Sequence, residues 1–223
     1  MSISLATLIA DIDQADSPER LIAAVQALAT ARLEAGIPTL IRALGFNNPG
    51  AAVTAVKGLV QMGDAAVMPL LTLLDDYNYG ARAYAIRALA AIADPRALDV
   101  LLSAAETDFA PSVRRAAIKG VGHLHWLKLP DSEQTIAQSR TYSTLLRVFQ
   151  DADWSLRYAA IAGLQALGQS APALQPHILA DLGGFQDADV AVQARIAWAI
   201  ATLQSPQPVP HSFPHPHPLT SNP

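Results

Sequence analysis

The chain has 223 residues, of which 51% are hydrophobic, 15% charged and 6% aromatic, with a net charge of −4 and no cysteine. A chain this long and this apolar can bury a hydrophobic core, so an intrinsically disordered protein is excluded. The lack of cysteine excludes disulfides, thiolate metal sites and a cysteine nucleophile, and the charge, spread along the chain with no basic run, argues against general nucleic-acid binding.

The N-terminal residues 1–16 contain Asp11 and Asp13 and lack the basic start and long apolar core of a signal peptide. No apolar run in the sequence reaches the length needed to cross a bilayer. We therefore expect a cytoplasmic protein with no membrane span.

A pattern of three apolar residues, separated by four and then two spacers, recurs along the chain. The copies begin 30, 32, 43 and 36 residues apart, and a weaker copy near Ser17 keeps Val25 and Leu28. Spacings of three and four predict one apolar stripe on each helix. An aspartate, at position 76, 108, 151 or 187, stands five residues before each of the last four copies. The copies are Ala51/Val56/Leu59, Ala81/Ile86/Leu89, Val113/Ile118/Val121, Leu156/Ile161/Leu164 and Val192/Ala197/Ile200.

Each repeat unit contains two predicted helices with a break between them. Residues 80–93 form one helical pattern, Asp94 and Pro95 interrupt it, and residues 96–106 form the next. Helices with a single apolar stripe must stack on neighbours to bury it. The sequence therefore predicts an all-α fold over residues 1–204, a HEAT-like α-solenoid built as a right-handed superhelix of about six helix pairs.

Two segments depart from the repeat. The unit that contains residues 122–140 has extra residues, which we interpret as a loop insertion that projects from the solenoid. Residues 205–223 contain seven prolines and three histidines without apolar periodicity, so this Pro/His-rich tail is expected to be disordered.

The richest group of polar and aromatic residues lies at the start of the helix predicted near residue 80. A helix start needs a polar cap and perhaps one glycine, which Asn78 and Gly80 supply. Two aspartates and two tyrosines in the same stretch exceed that need and indicate a ligand surface. The candidates here and at the equivalent positions of the next two units are Asp75, Asp76, Tyr77, Tyr79, Arg82, Arg87, Arg114, Arg115, Trp154, Arg157 and Tyr158.

Structural roles are open for the same residues. Arg82, Arg114 and Arg157 share one pattern position, so they either line a ridge or form a ladder of Asp–Arg pairs between neighbouring repeats. The aromatic residues could pack helix joints, and Arg115 could belong to a solvated face. His123 and His125 are two residues apart and diverge on a helix, so no metal site is predicted.

Three segments resemble the phycobilin lyases of the CpcE/CpcF type, and within them the CpcF-like subunits: DDYNYGARAYAIR at 75–87, DPRALDVLL at 94–102 and DFAPSVRRAA at 108–117. The resemblance extends over most of residues 5–203. It implies a lyase subunit that forms a heterodimer with a CpcE-like partner and attaches phycocyanobilin through a thioether to a cysteine of the phycocyanin α subunit. The bilin is then a substrate, and no permanently bound cofactor is expected. Isomerising relatives carry a His-Cys motif, so a chain without cysteine is expected to attach the bilin without isomerising it.

Within this resemblance each candidate has an expected role. Asp75 or Asp76 is the catalytic candidate, a carboxylate that pairs with the pyrrole nitrogens and makes the ethylidene carbon more electrophilic. The arginines match the two propionates, and the aromatic residues wall the rings. An alternative is a non-catalytic HEAT-repeat adaptor that binds phycobilisome or other polypeptides. A stand-alone enzyme has no catalytic motif to support it.

Overall fold

The computed structural model describes residues 4–74 and 79–205, and all regular secondary structure in these two ranges is helical. Four short 3-10 turns occur at Glu34–Gly36, Pro95–Ala97, Trp126–Lys128 and Pro172–Leu174. The α-helices are α1 (Leu5–Asp13), α2 (Pro18–Ala31), α3 (Ile37–Ala43), α4 (Pro49–Met62), α5 (Asp64–Leu73), α6 (Tyr79–Ile92), α7 (Leu98–Thr107), α8 (Pro111–Gly122), α9 (Asp131–Val148), α10 (Trp154–Ser170), α11 (Gln175–Gly184) and α12 (Val190–Gln204).

The helices form two layers. The even-numbered helices α2 to α12 carry the apolar pattern, and each packs against the next even-numbered helix; we call them the pattern layer. Each odd-numbered helix packs against the even-numbered helix that follows it, which gives six helix pairs within the described residues. The predicted all-α solenoid of helix pairs is thereby confirmed.

The core lies between the two layers. The pattern residues Ile86, Leu89, Ile118 and Leu164 are fully buried. In α12 the pattern does not predict burial correctly: Ala197 is exposed and Ile200 is partly exposed, while Ile196, Ala199 and Leu203 are buried. The reason is that α12 packs against α10 and α11 and, as the last helix described, has no later helix against it.

Several pattern-layer helices begin with a cap that the sequence encodes directly. The side chains of Ser17, Asn48 and Asp189 accept backbone N–H groups of the first turn, and Pro18 and Pro49 occupy the first helical position. At Asp94 the same combination starts the 3-10 turn Pro95–Ala97, after which α7 begins at Leu98. Pro95 therefore acts as predicted, as the break between two helices.

The segment 122–140, predicted as a projecting loop, is mostly helical. The extra residues lengthen α9, and only a short connection separates it from α8. This connection is held to the solenoid because Trp126 is buried, its indole Nε1 donates to Ser170 Oγ at 3.1 Å, and the His125 N–H donates to the Ala93 carbonyl at 2.9 Å. The apolar and hydrogen-bonded anchors explain why these residues do not project.

A buried carboxylate strengthens the same connection. Asp94 accepts hydrogen bonds from Arg96 Nε at 2.8 Å and from Lys128 Nζ at 3.0 Å, and Lys128 also contacts Asp64. Hydrogen bonds from Arg96 hold the pKa of Asp94 well below its usual range. This cluster ties three repeat units together, and its charged groups are paired with one another. The predicted Pro/His-rich tail lies outside the described residues apart from Ser205.

Candidate functional site

The predicted site at the start of α6 is described only in part. Asp75, Asp76 and Tyr77 lie outside the described residues. The Tyr79 hydroxyl donates to Asp108 Oδ1 at 3.1 Å, and its ring stacks on the exposed Phe109 at a centroid distance of 4.2 Å. Burial, together with the bond to Asp108, raises the pKa of Tyr79.

Three arginines occupy the same position of the repeat pattern. Each donates a hydrogen bond to a backbone carbonyl in the preceding helix or connection. Arg82, Arg114 and Arg157 donate to the carbonyls of Leu74, Ala105 and Asp151, at 3.5, 2.9 and 2.9 Å. A carbonyl at a helix C-terminus lacks an intrahelical donor, and an arginine supplies one. This contact alone gives each of the three a role in the fold.

Two of these arginines also pair with the aspartate of the next repeat unit. Arg114 Nη2 lies 2.8 Å from Asp151, and Arg157 binds both oxygens of Asp187 at 2.6 and 2.8 Å. The guanidinium of Arg157 holds the pKa of Asp187 below its usual value. The Asp–Arg ladder is therefore present at these two steps, and a bilin contact by Arg114 or Arg157, which stays a prediction, would have to break it.

A groove with a different character crosses α8, α10 and α12. It has a volume of about 610 Å³ and is lined by Arg115 and Lys119 of α8, by aromatic residues of α10 and by Ala191 of α12. We call it the α8–α12 groove. Its volume lies within the range of sites for small molecules. The complete lining is Arg115, Lys119, Trp154, Ser155, Tyr158 and Ala191.

Three residues predicted from the sequence meet in this groove. Arg115, Trp154 and Tyr158 come from successive repeat units, and the fold brings them together. Arg115 is half-buried and donates to Ser155 Oγ at 3.0 Å, without a carboxylate within ion-pair distance among the described residues. The Trp154 side chain is 50% exposed, so its ring is available to a ligand.

Arg87 lies beside a neighbouring groove between α6 and α8. That groove has a volume of about 520 Å³, and Lys119 lines both grooves. The Arg87 guanidinium lies 5.3 Å from the Tyr84 ring centroid and 3.5 Å from Ser112 Oγ. Arg87 thus belongs to the same face of the pattern layer as the α8–α12 groove, one helix away.

A further arginine, not predicted from the sequence, lies next to the α8–α12 groove. Arg195 of α12 is 6% exposed, and its Cζ lies 4.6 Å from the Trp198 ring and 5.8 Å from the Tyr158 ring. Burial lowers the pKa of Arg195. Its Nη1 has no hydrogen-bond partner in the described part of the chain. The one available sequence signal was a single charged residue in an otherwise uncharged helix, which the repeat pattern does not mark.

Acidic residues are distributed unevenly between the two helix layers. Helices α4, α6, α8, α10 and α12 contain no aspartate or glutamate, whereas acidic residues occur in α1, α5, α7, α9 and α11 and in the connections. This part of the pattern layer is cationic although the chain is acidic overall. Its basic residues are Lys57, Arg82, Arg87, Arg114, Arg115, Lys119, Arg157 and Arg195.

Neither a metal site nor a membrane span is found in the ranges 4–74 and 79–205. No group of three or more histidines, aspartates or glutamates is placed to hold a metal ion there. No helix in those ranges is both long and apolar enough to cross a bilayer. The chemistry that these residues offer is recognition of an anionic, aromatic ligand by arginine, lysine, tryptophan and tyrosine side chains.

Comparison with known proteins identifies the family. A family model described as HEAT repeats matches residues 67–138. A phycocyanobilin lyase subunit beta from Nostoc sp. (strain PCC 7120) is 58% identical over 194 residues, which cover 86% of this chain and 96% of that protein. The chain belongs to the phycocyanobilin lyase β-subunit family.

Other members of the family agree with this assignment. A phycocyanin alpha phycocyanobilin lyase CpcF from Synechocystis sp. is 48% identical over 198 residues, covering 88% of this chain and 92% of the relative. The solved complex of CpcE and CpcF of phycocyanin lyase from Nostoc sp. PCC7120 contains a chain that is 58% identical, with a TM-score of 0.68 over 74% of this chain and 98% of that one. The resemblance inferred from the sequence motifs is confirmed.

Proposed function

We propose that this chain is one subunit of a heterodimeric phycobilin lyase. Together with a CpcE-like subunit, it binds phycocyanobilin as a substrate and promotes thioether attachment of the bilin to a cysteine of the phycocyanin α subunit. The names of the relatives and the CpcE–CpcF complex support this function over the adaptor alternative. A cytoplasmic location stays a prediction from the sequence.

The α8–α12 groove is the observation that carries the proposal. Phycocyanobilin is a linear tetrapyrrole with two propionates, so it presents flat conjugated rings and two negative charges. Arg115 and Lys119 offer cations, and Trp154 and Tyr158 offer aromatic faces. The helices α8, α10 and α12 that line the groove contain no carboxylate, so the propionates meet little repulsion from within these helices.

The chemical step needs positioning rather than a nucleophile from this chain. The thiol sulfur of the acceptor forms a bond to the ethylidene carbon, the exocyclic double bond becomes single, and the thiol proton ends on the adjacent ring carbon. The addition is balanced without an oxidant or reductant. A lyase that fixes the face and conformation of the bilin accelerates this step and excludes wrong additions.

The remaining candidates keep their expected roles within the proposal. Asp75 and Asp76 are assigned to the protonated pyrrole nitrogens, with Tyr77 beside them. Tyr79 and Arg82 lie in the first turn of α6, and Arg87 follows on that helix. Arg115, Trp154 and Tyr158 form the part of the binding surface that the structure describes in most detail.

Co-production tests the proposal directly. This chain is produced with a CpcE-like partner, phycocyanobilin and the apo phycocyanin α subunit, and denaturing gels are read for zinc-enhanced bilin fluorescence. The expected result is covalent bilin on the α subunit only when both lyase chains are present. Absence of attachment, with a soluble partner and bilin present, would contradict the lyase function and favour the adaptor.

A further inference from the structure

The buried guanidinium of Arg195 lacks the carboxylate partner that two partly buried arginines of its layer have. Arg114 and Arg157 each bind an aspartate, whereas Nη1 of Arg195 has no hydrogen-bond partner among the described residues. A buried charge without a counter-charge is unfavourable, because desolvation is not offset by an ion pair. The site around Arg195 is therefore electrostatically incomplete.

Aromatic rings cover Arg195 without satisfying its N–H groups. Its Cζ lies close to the ring centroids of Trp198 and Tyr158, which favours the positive charge through cation–π contacts. A ring face does not replace the in-plane hydrogen bonds of a guanidinium, which match the two oxygens of a carboxylate. Arg195 is thus preorganised for an anion.

Within residues 4–74 and 79–205, no carboxylate is placed to pair with Arg195. No acidic residue occurs on α8, α10 or α12. The two aspartates that precede α12 are already engaged: Asp187 binds Arg157, and Asp189 caps α12 by accepting the N–H groups of Ala191 and Val192. An anion from outside the described chain remains as the partner.

We propose that Arg195 binds a carboxylate of the ligand in the α8–α12 groove, and that this carboxylate is one propionate of the bilin. Tyr158 lines the groove and its ring contacts Arg195, which is not itself among the lining residues, so the arginine lies behind the Tyr158 ring and a ligand reaches it when that ring moves aside. Arg115 lies on α8 and Arg195 on α12, with Trp154 and Tyr158 of α10 between them. This order places one cation on each side of the two aromatic residues. The inference rests on the proposed function and names a residue that recognises its substrate.

Esterification of the propionates separates this role from a structural one. The heterodimer with a CpcE-like partner is titrated with phycocyanobilin and with phycocyanobilin dimethyl ester, and binding is followed by bilin absorbance. Arg195→Gln is expected to weaken binding of the free acid about tenfold or more and to leave binding of the ester unchanged. Arg195→Lys is expected to give an intermediate affinity for the acid, because it keeps the charge and loses the planar fork.

The control is Arg140→Gln on α9, which removes an exposed arginine paired with Asp99 and leaves the groove intact. The inference would be overturned if Arg195→Gln bound the free acid as tightly as the unmodified heterodimer does, or if it lost affinity equally for the acid and the ester. Either result would assign Arg195 to packing. Loss of the heterodimer on size exclusion, in a variant whose far-UV helix signal is unchanged, would also overturn the inference and indicate that the carboxylate belongs to the partner subunit. Failure of the unmodified heterodimer to bind or attach bilin would contradict the proposed function itself, and the inference with it.

Discussion

At the scale of single residues, the partners of an arginine decide its role. Arg157 donates to both oxygens of Asp187, whose side chain is 3% exposed, and to two backbone carbonyls. Arg115 donates to a serine hydroxyl and forms no ion pair within the described ranges, and Arg195 lies between aromatic rings. Arginines of one layer therefore divide into those that the fold has satisfied and those that remain available to a ligand.

Arg157→Ala is predicted to destabilise the protein strongly. Removal of the guanidinium leaves the Asp187 carboxylate buried and unpaired, which lowers the free energy of unfolding by about 3 kcal/mol. Urea denaturation of the purified chain measures the change. Arg20→Ala is the matched control, because the Arg20–Asp16 pair is exposed and its loss costs less than about 1 kcal/mol. If Arg157→Ala keeps normal stability but no longer supports bilin transfer, Arg157 contacts the ligand instead.

At the scale of elements, close approach of α8 and α10 shapes the groove. A Cβ on Gly122 would lie 2.3 Å from the Gly163 carbonyl oxygen, and a Cβ on Gly163 would lie 2.7 Å from the Ile118 carbonyl oxygen. Backbone can come this close only where the side chain is a hydrogen atom. The spacing that brings Arg115 near Trp154 and Tyr158 therefore depends on glycine.

Gly163→Ala is predicted to separate these two helices. The added methyl group meets backbone that cannot move away alone, so unfolding free energy falls by about 1–3 kcal/mol and bilin transfer by the heterodimer decreases. Gly183→Ala on α11 is the control, since a Cβ there meets nothing within 4 Å and alanine favours a helix. Thermal denaturation and the transfer assay provide the two measurements. A Gly163→Ala protein as stable and active as the Gly183→Ala protein would refute the close-approach argument.

Sequence periodicity predicted the helices better than it predicted the site. Apolar spacing is a local property, so α8 and α10 and their buried residues Ile118 and Leu164 follow from it. The connection before α9 was predicted to project because its anchor, the bond from Trp126 to Ser170, joins residues far apart in the chain. The surroundings of Arg195 were missed for the same reason, since the Tyr158 ring that contacts it belongs to the previous repeat unit.

At the scale of the whole molecule, basic and acidic residues that alternate along the sequence lie on different helices. Along the chain, each of the helices α4, α6, α8 and α10 is followed by a connection and a second helix, and these intervening segments contain most of the acidic residues. Although the net charge of the chain is −4, the even-numbered helices α4 to α12 therefore form a cationic face. Such a face attracts an anionic ligand from solution as well as binding it, and the attraction weakens with salt.

Two double variants with equal changes in net charge test whether this separation matters. Arg115→Gln with Lys119→Gln removes two charges from the cationic face, whereas Arg140→Gln with Arg147→Gln removes two from α9. Bilin transfer by the heterodimer, measured as the initial rate of covalent attachment at low salt, is expected to fall about tenfold or more in the first variant and to stay within about twofold in the second. Because an overall charge effect would lower both rates equally, equal losses would contradict a binding role for this face. A selective loss that shrinks at high salt would establish that the position of the charges, rather than their number, attracts the bilin to the α8–α12 groove.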